Sequence, residues 1–294
     1  MAIYNLGSIN RDLVYALPHL PVPGETLASS SLDRGLGGKG ANQSVAIAKA
    51  GAKVVHIGAI GSDGADLSQQ LEDFGVSTDH ISVLDMPTGH AVIYVDGSAE
   101  NVIVLFEGAN GALKIDMLET ALADAQPDDW LLAQNETNLV PEAVALARER
   151  ELKIAIAAAP FDPAAVEPLL DHVDLVAVNQ IEAAQLAESL PHRTKQLSDI
   201  QQLVTLGAQG AEVRHNGNVE RVEAFAVEPV DTTGAGDTFL GFYLASISGG
   251  ASTVDALTTA SAASAIQVTR RGASAAIPDI AEVQTFIAKR GEAS

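Results

Sequence analysis

The sequence predicts an α/β fold in which a mostly parallel central sheet lies between two layers of helices, with a small β sheet beside it. Apolar runs alternate along the chain with helix-like segments. These runs are continuously apolar, which is typical of parallel strands that are covered on both faces. With 294 residues, of which 47% are hydrophobic, the chain is long enough to bury the core of one large domain.

The regular elements follow one another without a linker or an internal repeat. Four predominantly apolar runs predict buried strands, at 52–61, 129–134, 152–159 and 174–179. Five segments predict helices, at 65–75, 141–151, 235–248, 252–268 and 279–290. Gly75 ends the first of these helices.

Two extended segments interrupt the alternation. Residues 89–106 predict an antiparallel hairpin that turns around Asp96 and Gly97. Residues 12–35 are punctuated by proline and glycine and have room for short strands. The two segments either form one small sheet, which could cover a site as a lid, or remain two separate surface excursions.

The composition excludes several classes of function. The net charge is −21, from 38 acidic and 17 basic residues, which argues against nucleic acid or an anionic membrane as a partner. A phosphate ligand would need backbone N–H groups or a bound cation. The absence of cysteine excludes disulfides and thiolate catalysis, and the seven histidines lack metal-ligand spacing. The sequence has neither an apolar run as long as a membrane helix nor a signal-peptide pattern, so we expect a cytoplasmic protein.

Gly35, Gly37 and Gly40 match the G-x-G-x-x-G pattern of dinucleotide-binding loops. The context does not fit that function, because no buried strand precedes the glycines and the next acidic residue is Asp63. The loop is not a P-loop either, since Lys39 is followed by glycine. The sequence therefore argues against an oxidoreductase of the dinucleotide type.

The same loop has features that suit a ligand rich in hydroxyl groups. Glycines permit a tight turn and a close approach of ligand to backbone. Lys39 and Asn42 then present polar side chains at the start of a helix that ends at Gly51. Taken alone, this stretch favours an ordinary turn before a helix.

A second glycine motif lies within "VDTTGAGDTFLGFYLA", residues 230–245. Gly234, Ala235 and Gly236 stand where a helix begins, so that free N–H groups and the positive end of the helix dipole face outward. This arrangement binds anions without basic side chains. Asp237 in the first turn either stabilises the helix or, beside an anion site, accepts a proton from an attacking hydroxyl.

Together, "GGKGANQS" and "DTTGAGDTF" resemble the motifs of the ribokinase-like (phosphofructokinase-B-type) family of sugar kinases. The resemblance covers nearly the whole chain and includes "GSINRD", "PGET", "GAN" and "TLGAQG". It implies a three-layer αβα domain with a β lid, and a homodimer joined through the lids. The implied main domain comprises 1–11, 36–88 and 108–294, and the implied lid comprises 12–35 and 89–107.

The resemblance also implies roles for individual residues. Asp237 looks like the catalytic base, and the N–H groups of Gly234, Ala235 and Gly236 look like the anion hole for the transferred phosphoryl group. The positions that resemble the family's sugar ligands are Asn10, Asp12, Gly38, Lys39, Asn42 and Glu136. The positions that resemble its Mg²⁺ and nucleotide ligands are Asn179, Glu182, Thr205, Gly207, Gly210 and Gly236. Those that resemble its monovalent-cation (K⁺) site are Asp231, Thr233 and the backbone at Gln267, Arg270 and Gly272.

The activity that the resemblance implies is transfer of a phosphoryl group from ATP to the 5-hydroxyl of D-ribose. Two alternatives stay open at this point. One is a kinase of the same fold for another acceptor, such as 2-deoxyribose, fructose or a nucleoside, and the other is a sugar- or nucleotide-binding sensor without turnover. The chain departs from the family at Ala157, at Ala276, where a serine commonly completes the cation site, and in 258–265, which lacks an adenine-contacting His or Asn.

Overall fold

The computed structural model describes residues 1–97 and 100–291. It has thirteen strands within these residues, which we number in chain order. They are β1 Ala2–Leu6, β2 Asn10–Ala16, β3 Ser31–Gly37, β4 Lys53–Gly61, β5 Ser77–Leu84, β6 Gly89–Val95, β7 Asn101–Phe106, β8 Trp130–Gln134, β9 Lys153–Ala157, β10 Leu175–Asn179, β11 Gln201–Thr205, β12 Ala211–His215 and β13 Asn218–Val222.

The described residues also form ten α-helices. They are α1 Lys39–Lys49, α2 Ala65–Asp73, α3 Ile115–Ala121, α4 Val140–Glu149, α5 Pro163–Val166, α6 Gln180–Ser189, α7 Thr194–Asp199, α8 Ala235–Ser248, α9 Thr253–Gln267 and α10 Ile280–Gly291. None of these helices combines the length and the hydropathy that crossing a bilayer requires.

Nine strands form the central sheet, in the order β13-β12-β11-β10-β9-β8-β1-β4-β5. All pairs from β11 to β5 are parallel, and β12 and β13 add an antiparallel end. Parallel strands need crossover connections, and here helices supply them on both faces. The predicted three-layer αβα class is therefore confirmed.

Two apolar cores, one on each face of the sheet, hold the layers together. Helices α1, α2, α8, α9 and α10 pack on one face, and α3 to α7 pack on the other. Strand β1 divides its side chains between the faces, with Ile3 in the first core and Tyr4 and Leu6 in the second. A fully buried side chain such as Phe242 of α8 contributes about 1.5–3 kcal/mol through its removal from water. This packing fixes the position of α8, whose first turn carries Asp237.

The four remaining strands form a small sheet in the order β3-β2-β6-β7. The predicted hairpin at 89–106 is confirmed, because β6 and β7 pair antiparallel from His90–Phe106 to Val95–Asn101. The turn was predicted around Asp96 and Gly97, and the next two residues, Ser98 and Ala99, lie outside the described residues. Strand β2 pairs antiparallel with β3 and parallel with β6, which joins the two extended segments into one sheet. The small sheet begins at Asn10, four residues after β1 ends, and so lies beside the carboxyl ends of the central strands.

Candidate active site

The amino end of α8 presents a carboxylate that is clamped by two side-chain amides. Gly234 precedes the helix with φ +75°, a left-handed conformation that favours glycine. Asp237 in the first turn accepts a hydrogen bond from Asn42 Nδ2 at 3.1 Å on Oδ2 and from Gln43 Nε2 at 2.8 Å on Oδ1. Residues 195 positions apart thus meet, which brings the two glycine motifs together at one point.

Burial raises the pKa of Asp237 above its ordinary value, although the Lys39 ammonium group and the amides of Gln43 and Asn42 counteract that rise. The nearby charge of Glu136 raises the pKa further. A carboxylate with increased proton affinity and a fixed orientation is well suited to remove a proton from a bound hydroxyl.

Free N–H groups surround this carboxylate at the helix start. Among the described residues, the backbone N–H groups of Gly234, Gly236 and Asp237 make no hydrogen bond. The N–H of Ala235, by contrast, already donates to the carbonyl of Thr232 at 3.2 Å. The turn that starts the helix thus uses the N–H of Ala235, and the assignment of Ala235 to the anion hole stays a prediction. The N–H of Asp237 itself is available instead.

Behind Asp237 runs a buried chain of polar side chains that the sequence analysis did not identify. Gln43 accepts a hydrogen bond from Gln134 Nε2 at 2.8 Å, and Gln134 also donates to Asn5 Oδ1 at 2.8 Å. Asn5 in turn donates to Ser44 Oγ at 2.9 Å, and Ser44 Oγ contacts His56 Nδ1 at 2.8 Å. Burial lowers the pKa of His56 to about 4, so this end of the chain is neutral at physiological pH. Because these side chains hydrogen-bond to one another, they fix the rotamer of Gln43, although Gln134 Oε1 has no partner among the described residues.

Asp12 on β2 is a half-buried carboxylate without a hydrogen-bond donor among the described residues. Burial, and secondarily the charge of Glu136, raises its pKa from 3.8 to about 7. Its carboxylate lies directly over Gly37 of β3, where any Cβ would collide with it. A half-buried acid with a raised pKa and unused hydrogen-bonding capacity points to a ligand that supplies the donors.

Glu136 follows β8 and joins the start of α1 to the end of β1. Its Oε2 accepts hydrogen bonds from Ser8 Oγ at 2.5 Å and from the backbone N–H of Lys39 at 3.0 Å, and its Oε1 lies 3.9 Å from Lys39 Nζ. Burial alone would lower the pKa of Lys39, but the charges of Asp237, Glu136 and Glu182 outweigh it and raise the pKa. Lys39 therefore remains a cation amid the carboxylates of an acidic protein.

Asn10 and Asn42 are both buried and both have partners that were not predicted. Asn10 Oδ1 accepts a hydrogen bond from Asn110 Nδ2 at 2.8 Å, and Asn42 Oδ1 accepts one from Ser274 Oγ at 2.6 Å. The amide hydrogens of Asn42 therefore point at Asp237. Gly38, the remaining predicted sugar ligand, precedes α1 with φ +91° and brings the chain back close to Ser8.

A cavity of about 510 Å³ adjoins the first turn of α8. Thr205, Gly207, Gly210 and Gly236, all predicted near the nucleotide, line it. Most of the remaining lining is apolar and was not assigned by the sequence analysis. It comes largely from the segment after β13 and from α9 with the residue that follows it, namely Ala224, Phe225, Ala226, Val227, Pro229, Ser261, Ser264, Ala265 and Val268. An apolar cleft that ends at free N–H groups suits a flat heterocycle linked to phosphates.

Asn179 and Glu182 start helix α6 and form a reciprocal capping box. Asn179 Oδ1 accepts the N–H groups of Ile181 and Glu182 at 2.8 and 2.9 Å, and Glu182 Oε2 accepts that of Asn179 at 2.8 Å. This is a structural function that the resemblance did not imply. Glu182 keeps a second carboxylate oxygen, which fits the way Mg²⁺ is commonly held by one or two carboxylates, waters and substrate phosphates. Within the described ranges, no three His, Cys, Asp or Glu side chains converge on a metal position.

The residues predicted for a monovalent cation meet in the loop before α8. Asp231 accepts the backbone N–H groups of Thr233 and Gly272, each at 2.9 Å. Burial opposes ionisation of Asp231, but these two hydrogen bonds, together with the Thr233 side chain and the charge of Arg271, outweigh it and lower the pKa of Asp231. Gln267, expected to contribute only its backbone, instead directs its side-chain amide at the carbonyl of Thr233. The donor set found here therefore does not fit a bound K⁺.

Comparisons with known proteins identify the family of this chain. The family model of the pfkB family carbohydrate kinases matches residues 3–280. The chain belongs to the pfkB family of carbohydrate kinases. This match confirms the family that the two glycine motifs indicate. The protein is therefore a carbohydrate kinase.

Individual relatives match this protein over nearly its whole length. A ribokinase of Haemophilus influenzae is 37% identical over 300 residues, which cover 96% of this chain and 97% of the relative. The crystal structure of ribokinase from Cryptococcus neoformans var. grubii serotype A in complex with ADP has 33% identity and a TM-score of 0.83, covering 97% and 98% of the two chains. The structure of Arabidopsis thaliana ribokinase complexed with ribose and ATP has 26% identity and a TM-score of 0.84, with the same coverage.

Proposed function

We propose that the protein transfers the γ-phosphoryl group of ATP to the 5-hydroxyl of D-ribose. The observation that carries the proposal is the convergence on Asp237 of a polar cluster from the amino-terminal third of the chain and an apolar cavity from the carboxyl-terminal third. A kinase needs a nucleotide and an acceptor on opposite sides of one base, and these two regions supply the two sides.

Asp237 acts as the base in this proposal. Its carboxylate accepts the proton of the 5-hydroxyl while the oxygen attacks the γ-phosphorus, and the bond to the bridging oxygen of ADP breaks. The N–H groups of Gly234, Gly236 and Asp237 stabilise the charge on the transferred group, as preorganised backbone donors do in general. Gln43 and Asn42 hold the base in place for this step.

Asp12, Lys39, Asn42 and Glu136 bind the other hydroxyls of the sugar. The unused acceptor capacity of the Asp12 carboxylate supports this assignment most strongly, because ribose hydroxyls are donors of the kind that it lacks. Asn10 and the backbone at Gly38 complete the set. A site built from such buried polar groups rejects deoxy analogues by about 10⁴-fold or more, because the missing hydroxyl leaves a buried partner unpaired.

ATP occupies the cavity beside α8, with its base among the apolar side chains and its phosphates towards Gly236. Glu182, together with Asn179, would hold Mg²⁺ near those phosphates, and the ion would supply positive charge that the acidic chain lacks. Lys39 adds a fixed cation on the sugar side. Since the reaction consumes ATP, we propose the cytoplasm as its compartment.

The segments 12–35 and 89–107 act as a lid over the sugar, and a homodimer joins through the lids. Strand β7 supports this second part, because it is an edge strand and all six of its residues are exposed. Five of them, Val102 to Phe106, are large and apolar. An exposed apolar edge strand pairs readily with another chain, and a second copy presents a matching edge.

A coupled ADP-release assay over a panel of acceptors tests the proposal. We expect D-ribose to support the highest kcat/KM among pentoses, hexoses and nucleosides, with 2-deoxyribose and fructose far behind. A higher kcat/KM with fructose, 2-deoxyribose or a nucleoside would reassign the acceptor while keeping the kinase. Tight binding of ribose in calorimetry without any ADP release would instead indicate a sensor.

A further inference from the structure

Gln267, the last residue of α9, has a fully buried side chain whose amide faces backbone carbonyls. Its Nε2 donates to the carbonyl of Thr233 at 2.5 Å and lies 3.4 Å from the carbonyl of Gly272. Thr233 and Gly272 belong to the set that the family resemblance assigns to a monovalent cation. The family resemblance implies that these carbonyl oxygens bind a monovalent cation. Here they face the amide nitrogen of Gln267 instead.

The orientation of this amide is fixed by its neighbours. The carbonyls of Thr233 and Gly272 are acceptors only, so the NH₂ end of the Gln267 amide must face them, because the reverse orientation would oppose two oxygens. A cation site requires the opposite arrangement, with several oxygens facing one point and no hydrogen between them.

Two neighbouring positions also leave fewer free oxygen lone pairs than the family resemblance implies for a cation site. Both oxygens of Asp231 already accept backbone N–H groups, from Thr233 and Gly272. Ala276 is buried and offers a methyl group where the family resemblance expects a serine hydroxyl. The carbonyls of Thr233 and Gly272 therefore accept hydrogen bonds from the Gln267 side chain, which supplies hydrogens where a cation would supply charge.

We propose that the Gln267 amide replaces the monovalent cation, so that the enzyme works without K⁺. The amide holds the carbonyls of Thr233 and Gly272 together and thereby fixes the loop that leads into α8 and its free N–H groups. Gln267 is a positioning residue in this account, since it acts through the loop. Its link to turnover rests on the proposed kinase function, whereas its effect on cation binding does not.

The test compares the response to KCl with the response to tetramethylammonium chloride at equal ionic strength. Turnover with ribose and the thermal unfolding midpoint are both measured, and we expect neither to differ between the two salts for the natural chain. In the double variant Gln267→Ala with Ala276→Ser, the carbonyls are uncovered and the hydroxyl is restored. For that variant we expect K⁺ to raise the unfolding midpoint, as a ligand of the folded state does. We also expect K⁺ to raise turnover by about tenfold or more, a part of the 10²–10³-fold that one preorganised donor is worth.

Gln267→Met is the matched control, because it keeps the volume and removes the hydrogens. We expect it to lose turnover and not to regain it with K⁺. Activation or stabilisation of the natural chain by K⁺ would overturn the proposal, as would a methionine variant with unchanged turnover and stability. The unfolding midpoint needs no sugar, so the cation result stands even if the acceptor panel shows that ribose is not the substrate.

Discussion

Replacement of Asp12 by asparagine should make the protein more stable above neutral pH and a weaker binder of ribose. Burial and the charge of Glu136 raise the pKa of Asp12 from 3.8 to about 7 in the folded protein, a difference of about 3 units. Each unit corresponds to about 1.4 kcal/mol, so the ionised carboxylate lowers the free energy of unfolding by at most about 4 kcal/mol. Asparagine has nearly the same shape and carries no charge.

The sign of the effect fixes the pH window. Between about pH 4 and pH 7 the folded state binds more protons at Asp12 than the unfolded state, so this group makes the free energy of unfolding fall as the pH rises and then level off above about 7. The variant lacks this contribution. We therefore expect it to match the natural chain near pH 4 and to exceed it by about 1–4 kcal/mol at pH 8.

Urea denaturation at several pH values measures the stability, and calorimetry with ribose measures the affinity. Asp33→Asn is the matched control, because Asp33 is an exposed carboxylate on the neighbouring strand β3. The reasoning is refuted if Asp12→Asn is no more stable than the natural chain at pH 8. Equal ribose affinity in the two proteins would remove Asp12 from the sugar site.

Four further substitutions test other parts of the account. Asp237→Asn should bind ribose in calorimetry but lower kcat by at least about 10²-fold, because the base is lost. Gln43→Glu places a second carboxylate against Asp237, so the acidic limb of the pH profile of kcat should move to higher pH. Gly37→Ala pushes a methyl group into the carboxylate of Asp12 and should weaken ribose affinity, measured by calorimetry, by about tenfold or more. Val104→Lys on β7 should convert a dimer to monomers in light scattering, since a charge blocks edge pairing.

The chain offers matched controls for these variants. Gly35 lies on the same strand as Gly37 with open space around it, so Gly35→Ala should leave ribose affinity unchanged. Val83 is exposed on β5, and Val83→Lys should leave the dimer intact. Undiminished kcat in Asp237→Asn, an unmoved pH profile in Gln43→Glu, or unchanged mass in Val104→Lys would each contradict the corresponding assignment.

The parallel sheet was predictable because strands such as β8 and β10 are buried on both faces and are therefore uniformly apolar. The small sheet was only partly predictable. The hairpin at 89–106 has a local turn signal, whereas the parallel pairing of β2 with β6 joins segments that are far apart in sequence. Register between such segments depends on the assembled fold.

The glycine motifs were readable because the backbone at Gly38 and Gly234 adopts conformations that favour glycine. The hydrogen bonds among Gln43, Gln134 and Asn5 could not be predicted from the sequence, since no sequence pattern marks a buried amide until its partner is known. The apolar lining of the nucleotide cavity likewise carries no motif. Gln267 shows most clearly what the sequence did not predict. The family resemblance assigns a role to its backbone, whereas in the structure its side chain makes the hydrogen bond to Thr233.

Phosphorus–proton correlation spectroscopy of the product formed from ATP tests the central claim most directly, with D-ribose and 5-deoxyribose as parallel acceptors. The account predicts a phosphomonoester coupled to the protons on C5 of ribose and no sugar phosphate from 5-deoxyribose. A phosphate on any other carbon, or none with ribose, would contradict it.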